Sequence, residues 1–119
     1  MTRSYARPVA HDERLAERIR DLLGTEPDVA ERRMFGGLAF LVGGHLAVAA
    51  SGRGGLLVRV DPADADELLA STAAVPMEMR GRPMRGWLRV PSDEVATARA
   101  LARWVGLGTR FVRTLPPKG

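Results

Sequence analysis

The sequence predicts an α+β domain of two layers, in which an antiparallel sheet of five strands carries its helices on one side. Consecutive runs of alternating apolar residues, separated by glycine-rich turns, predict the sheet. Apolar stripes at helical spacing near both ends of the chain predict helices that cover it. With 119 residues, 45% of them hydrophobic, and no Cys, the chain can build a single core without disulfides. The predicted order is α-β-β-β-α-β-β-α, in one domain spanning residues 1–119.

The first helix follows residues 1–10, which show no periodicity and which we predict to be a loose arm. Asp12 is placed to cap this helix, because a side-chain oxygen there accepts hydrogen bonds from the first free N–H groups. Gly24 stands where a helix commonly ends. The apolar residues between them fall on one stripe: Leu15, Ile19, Leu22 and Leu23.

Three strands follow as a meander whose period-2 pattern begins near Arg33. Gly43-Gly44 is predicted to be a two-residue hairpin turn, since both positions of a type I′ turn need a positive φ. Residues 52–55 form the second turn. The residues predicted to share one face are Leu38, Phe40 and Val42 in the first strand, Leu46, Val48 and Ala50 in the second, and Leu56, Val58 and Val60 in the third.

The second half of the chain begins with a predicted helix. Asp61 is its N-terminal cap, and Pro62 is its first residue. Residues 75–79 and 84–90 are predicted to be two further strands, joined by residues 80–83. These two strands complete the predicted five-stranded sheet.

The last helix is predicted to start at a Ser92 cap and to end before Pro116, with residues 116–119 as a loose tail. Gly106 and Gly108 interrupt it, and each costs about 1 kcal/mol relative to Ala in a helix interior. The apolar register survives both glycines, so the sequence predicts one long helix, straight or bent at that point.

The charge is unevenly distributed, with a net of −3 over residues 1–79 and +7 over residues 80–119. Such asymmetry can mark an anion-binding or nucleic-acid-binding surface, here in the last third of the chain. The alternative is the arginine bias of a GC-rich genome, because 17 of the 18 basic residues are Arg. The candidate residues are Arg80, Arg82 and Arg85 at a hairpin tip, and Arg99, Arg103, Arg110 and Arg113 along one stripe of the last helix.

Catalytic and metal-binding patterns are weak in this sequence. The two His residues fall in different predicted elements, and Cys is absent, so no thiolate site or His-rich metal site is predicted. No glycine-rich segment has the context of a phosphate-binding loop. We therefore expect no cofactor and no enzymatic activity, and we expect a cytoplasmic protein, because neither a signal peptide nor a membrane-spanning run is present.

The segment Arg32-Arg33-Met34-Phe35-Gly36-Gly37, followed by an apolar strand and hairpin, resembles the N-terminal domain of the TfoX/Sxy competence regulators. Trp87-Leu88-Arg89-Val90-Pro91 is similar to a later strand of that family, which ends at a proline. The resemblance implies a two-layer α+β fold like that of the secretion chaperones and a link to competence or transcription regulation. In this reading Arg33, Met34, Phe35, Gly36 and Gly37 are the family motif, with a structural role.

Three functions are compatible with these patterns. The first is a non-enzymatic regulatory or interaction module that forms a homodimer or binds another protein. The second is a nucleic-acid-binding domain that uses the basic C-terminal third. The third and weakest is a small enzyme with a polar pocket built around Glu31, Arg32, Arg33 and His45.

Overall fold

The computed structural model describes residues 12–34 and 36–118, and this part of the chain contains three α-helices and six strands. The predicted arm at residues 1–10 lies outside the described residues. The helices are α1 (Glu13–Leu22), α2 (Pro62–Ser71) and α3 (Ala98–Arg113). The strands are β1 (Val29–Met34), β2 (Gly37–Val42), β3 (His45–Ala50), β4 (Leu56–Arg59), β5 (Val75–Met79) and β6 (Arg82–Val90).

The predicted fold class is confirmed: the chain forms an α+β structure with one antiparallel sheet, ordered β1-β2-β3-β4-β6-β5. The sheet has six strands where the sequence predicts five, and the additional one is β1. This strand lies at the edge of the sheet, and its four central residues are all exposed. Because no face of β1 is buried along its length, its sequence shows no apolar alternation that would reveal a strand.

The main core lies between the three helices and one face of the sheet, which we call the inner face. Phe40, Val58 and Leu88 project from the strands into this core and are at most 1% exposed. Ile19 of α1 and Leu101 of α3 pack against the same cluster. The opposite side of the sheet, the outer face, carries a second apolar cluster built mostly from strand residues.

A bulge in β3 changes one predicted assignment. Phe40 pairs with Val48 whereas the next residue, Leu41, pairs with Leu46, so Ala47 is an extra residue on β3. Leu46 therefore packs with Leu41 on the outer face. The prediction that it shares a face with Val48 was wrong, because a strand that contains a bulge does not alternate strictly.

The turns between strands show one confirmed and one corrected prediction. Gly43 and Gly44 have φ values of 60° and 86°, which confirms the two-residue hairpin. The turn between β5 and β6 is shorter than the predicted residues 80–83, since Met79 already pairs with Arg82. Arg82 and Pro83 consequently belong to β6, and only residues 80 and 81 form the turn.

The start of α3 also differs from the prediction. Ser92 begins a short 3-10 turn and makes no side-chain capping bond there. The helix starts instead after Thr97, whose Oγ1 accepts a hydrogen bond of 3.1 Å from the N–H of Ala100. Ser92 follows Pro91 and resembles a cap in sequence. The 3-10 turn comes between Ser92 and α3, so the helix is capped by the next hydroxyl residue, Thr97.

The predicted long helix is confirmed, because α3 runs without a break through Gly106 and Gly108. Gly108 lies on the side of α3 that faces the sheet. A Cβ built at this position would be 2.6 Å from the carbonyl oxygen of Ala47 and 3.1 Å from Cγ2 of Val58. The absence of a side chain therefore lets α3 rest directly on β3 and β4.

Residues 116–118, where the sequence predicts a loose tail, contact the turn between β2 and β3. The N–H of Lys118 donates to the carbonyl oxygen of Gly43 at 2.9 Å. Nε2 of His45 donates to the carbonyl oxygen of Pro116 at 2.6 Å.

None of the helices in the described part of the chain is long and apolar enough to cross a membrane.

Candidate functional site

The four arginines predicted on the last helix occupy one stripe of α3 and are all exposed. Arg113 is bound at the C-terminal end of the stripe, since its Nη2 donates to a Glu26 carboxylate oxygen at 2.9 Å and to the carbonyl oxygen of Pro27 at 2.7 Å. The guanidinium of Arg103 lies 5.8 Å from the ring centroid of Trp104. The remaining two, Arg99 and Arg110, make no ion pair with another described residue.

Arg110 lines a shallow cleft of about 230 Å³ between α2 and the second half of α3. The floor of this cleft includes Leu107 and Phe111, and Asp61 and Asp64 lie at its α2 side. Two carboxylates beside one guanidinium make the cleft unsuitable for a phosphate, because they repel the same anion that the arginine attracts.

The three arginines predicted at the hairpin tip are exposed as well, at the β5–β6 end of the sheet. Arg80 is in the turn, whereas Arg82 and Arg85 lie within β6. Arg82 pairs with Met79, which alternates with the outer-face residue Met77 along β5, so Arg82 lies on the outer face.

The structure therefore separates the two predicted basic groups. The helix α3 packs on the inner face against β2, β3 and β4, and the helix that contacts β6 is α2. Arg82 lies on the other side of the sheet from the α3 stripe. Nucleic-acid binding by these residues stays a prediction, and Arg82 does not share a surface with the α3 stripe.

The family motif surrounds the turn between β1 and β2. Arg33 and Met34 end β1, Gly36 lies in the turn, and Gly37 begins β2; Phe35 is outside the described residues. A Cβ at Gly37 would overlap the carbonyl oxygen of Ala50 on β3. Met34 packs against the outer cluster. These contacts give Met34 and Gly37 a packing role in a hairpin rather than at the start of a first strand.

Four arginines on the outer face form a pattern that the sequence analysis missed. Each lies directly opposite an apolar outer-face residue, and residues paired across antiparallel strands share a face. Within the six described strands, the residues that the register assigns to the outer face include no Asp or Glu. The four pairs are Arg32 with Ala39, Arg59 with Trp87, Arg82 with Met79, and Arg89 with Leu57.

The apolar part of the outer face is unusually rich in methionine. Met34, Met77 and Met84 all belong to the outer cluster, together with Trp87. Met79 lies on the same face of β5 as Met77, two positions further along the strand. No helix in the described part of the chain packs against this cluster.

Two of the outer-face arginines are held in place by neighbouring side chains. The guanidinium of Arg59 lies 5.1 Å from the ring centroid of Trp87 and 5.5 Å from that of Phe111, so it is held between two aromatic rings. Nη1 of Arg89 donates to Oγ of Ser51 at 3.2 Å. Their positive charges are therefore fixed relative to the sheet. The sequence could show each arginine, but only the strand register shows that they share a face.

On the inner side of β1, Glu31 forms a two-pronged ion pair with Arg20 of α1. Nε and Nη2 of Arg20 donate to the two carboxylate oxygens at 2.5 Å and 2.8 Å. These hydrogen bonds are the main cause that lowers the pKa of Glu31 below its usual value, and partial desolvation opposes them. The same hydrogen bonds raise the pKa of Arg20. The pair attaches the first helix to the edge strand.

The residues considered for a polar pocket are not brought together. Arg32 lies on the outer face of β1 and its neighbours Glu31 and Arg33 on the inner side, because successive residues of a strand alternate. His45 is at the start of β3 and bonds to Pro116. Among the described residues, no group of three or more His, Cys, Asp or Glu could hold a metal ion.

The chain was compared with protein families, curated proteins and solved structures. A family model described as the TfoX N-terminal domain matches residues 21–112, which is most of the chain. It spans every strand, the helix α2 and nearly all of α3. No curated protein and no solved structure matches the chain.

Proposed function

Because the chain belongs to the TfoX N-terminal domain family, we propose that it is a small regulatory module that acts by binding and not by catalysis. The resemblance to competence regulators gives the biological setting of the proposal, which is control of competence or of transcription. The module would work in the cytoplasm, where such regulators meet their targets.

The observation that carries this proposal is the sheet face that no described helix covers. On the edge strand β5, Val75 and Met79 flank the outer-cluster residue Met77 and are 49% and 37% exposed. Soluble domains seldom leave a contiguous apolar region at an accessible edge unless a partner covers it. The surface is therefore suited to an interaction between macromolecules.

Deletion and complementation in the source organism test the proposed function. We expect the deletion to change the frequency of DNA uptake or the expression of a defined set of genes, and the wild-type gene to restore both. A deletion strain with unchanged DNA uptake and an unchanged transcriptome would contradict the proposal.

We also propose that the module forms a homodimer through β1. This edge strand pairs with β2 on one side only, and the free N–H and C=O groups of an edge strand can pair with a second copy. The carbonyl oxygen of Asp28 accepts from the N–H of Gly43. Hydrogen-bonded pairs alternate in an antiparallel ladder, so the N–H of Arg33 points to the free edge.

Sedimentation velocity over a range of concentrations tests the homodimer. Wild-type protein is expected to dimerise in the micromolar range, and Arg33→Pro, which removes one free edge donor, is expected to be monomeric with an unchanged circular dichroism spectrum. A wild-type protein that stays monomeric at high micromolar concentration would contradict this part of the proposal.

A second candidate function is nucleic-acid binding by the α3 stripe. The observation that favours it is the continuity of α3, which keeps Arg99, Arg103 and Arg110 along one exposed line. Fluorescence anisotropy with labelled duplex and single-stranded DNA, at several salt concentrations, tests it. Binding should weaken steeply with salt and should be lost in Arg99→Glu/Arg103→Glu; absence of binding at low salt rejects this candidate.

A further inference from the structure

We propose that the outer face of the β5–β6 hairpin binds an acidic amphipathic helix of a partner protein. This inference rests on the proposed function as a binding module and names the class of its partner. We call the surface the hairpin patch and define it by six residues: Val75 and Met79 on β5, and Arg82, Met84, Trp87 and Arg89 on β6.

The centre of the hairpin patch is apolar and accessible. Val75 and Met79 are two of the three exposed large hydrophobic residues in the described part of the chain. Met77 lies between them on the same face of β5 and is buried in the outer cluster. Met84 and Trp87 are half-buried on the neighbouring strand. Because methionine is unbranched and polarisable, such a centre can adapt to the apolar side chains of a helix.

The rim of the hairpin patch is positively charged, and no acidic side chain of the described strands neutralises it on the outer face. Arg82 and Arg89 lie opposite Met79 and Val75 on the hairpin, and the guanidinium of Arg89 is held by Oγ of Ser51. No carboxylate is assigned to the outer face of the described strands. A partner that places apolar side chains on the centre must therefore place its charges beside arginines, and only an acidic partner is complementary.

The edge strand itself favours a helix over an added strand. Adding a strand to a sheet requires regularly spaced backbone donors and acceptors along the free edge. Pro76 has no N–H and lies in the first half of β5, and proline at an edge strand blocks such pairing. A helix satisfies its own backbone groups and needs only the side chains of the patch.

Two other occupants fit less well. Single-stranded nucleic acid binds by stacking bases on free aromatic rings, but Trp87 is half-buried and Arg59 already lies over it at 5.1 Å. A second copy placed face to face would bring arginines against arginines with no carboxylate between them.

NMR of the full chain labelled at the methionine methyl groups tests the proposal. The chain contains five Met, and the outer face carries four of them, so the signals of Met34, Met77, Met79 and Met84 report on this face directly. The probe is a synthetic helical peptide of roughly 18 residues, with Leu along one face and Glu on the others, long enough for five turns. The matched control peptide replaces every Glu by Lys.

We expect the Glu peptide to shift the methyl signals of Met79 and Met84 during titration, and the Lys peptide to shift neither. Arg82→Glu should weaken binding of the Glu peptide about threefold to tenfold, because reversing an exposed charge replaces a weak attraction by a repulsion. The matched variant Arg14→Glu reverses an exposed charge on α1, which packs on the other side of the sheet, and should leave the affinity unchanged.

Several results would overturn the proposal. Equal binding of the Glu and Lys peptides would exclude recognition by charge, and equal losses in Arg82→Glu and Arg14→Glu would show non-specific attraction. Titration with a dodecamer of thymidine that shifts Met79 and Met84, when the Glu peptide does not, would assign the patch to nucleic acid. If these signals broaden when only the protein concentration is raised, the hairpin patch is a surface for self-association. If the peptide fails while the deletion phenotype is present, this inference falls and the proposed function stands.

Discussion

The close approach of α3 to the sheet can be tested with the same substitution at two glycines of one helix. Gly106 and Gly108 lie two positions apart in α3. A Cβ at Gly106 would meet only Nη1 of Arg110, at 3.1 Å, which is the mobile end of a long side chain. A Cβ at Gly108 would lie 2.6 Å from the carbonyl oxygen of Ala47, which is fixed in β3.

The two changes should have opposite effects on the free energy of unfolding. Gly106→Ala should stabilise the protein by about 0.5–1 kcal/mol, because alanine loses less backbone entropy in a helix. Gly108→Ala has the same gain but must displace α3 by roughly 0.7 Å to restore an ordinary carbon–oxygen contact of about 3.3 Å. Overpacking of this kind costs about 1–3 kcal/mol, so Gly108→Ala should be the less stable variant by that amount.

Thermal and urea unfolding of both variants and the wild type provide the measurement. A difference of about 1–3 kcal/mol corresponds to roughly 4–12 °C in Tm for a domain of this size. Because helix propensity is common to both variants, their difference reports on the contacts of position 108 with the sheet, of which the contact with Ala47 is the shortest. Equal stabilities, or a Gly108→Ala protein that is the more stable of the two, would refute the reasoning.

Three further predictions concern single contacts. Thr97→Ala should lower the free energy of unfolding by about 1 kcal/mol through loss of the helix cap, whereas Ser92→Ala should leave it unchanged; equal effects in urea unfolding would contradict the assigned start of α3. Glu31→Gln should remove an acid-dependent part of the stability: the pKa of Glu31 is lowered in the folded state by hydrogen bonds from Arg20, so the stabilisation is present above the unfolded value of about 4.3 and is lost as the pH falls through the folded value. Wild type and Glu31→Gln should therefore differ near pH 7 and converge at low pH, and a constant difference would contradict the linkage. Gly37→Ala should destabilise the protein by at least about 1 kcal/mol, since its Cβ overlaps a backbone carbonyl of β3; an unchanged Tm would contradict that close approach.

Features determined by local chemistry could be predicted from the sequence. Oδ1 of Asp12 accepts from the N–H groups of Arg14 and Leu15, and Oδ1 of Asp61 accepts from Ala63. These caps and the Gly43-Gly44 turn depend only on residues within a few positions of each other. The helices and most strands followed from the period of their apolar residues, because burial of one face imposes that period.

Features determined by distant contacts could not be predicted in the same way. The edge strand β1 has no buried face and so no pattern, and the bulge at Ala47 depends on how β3 pairs with β2. The outer-face arginines come from strands far apart in the sequence. Arg59 and Arg89 share a surface only because β6 pairs with β4. Counting charges along the chain placed the candidate basic surface in the last third, and it could not show that Arg59 and Arg89 lie on neighbouring strands.

The order of the strands has a consequence for how the sheet opens. In the described part of the chain, β4 and β6 are the one adjacent pair that is not consecutive in sequence, and a helix and a strand separate them. Pairing across such a distance closes a long loop and forms late in folding. The sheet is thus two local units, β1–β4 and the β5–β6 hairpin, joined along one line. We expect amide hydrogens along this line, near Leu57 and Leu88, to exchange through an opening of lower free energy than amide hydrogens inside either unit. A ligand that contacts both units should slow their exchange.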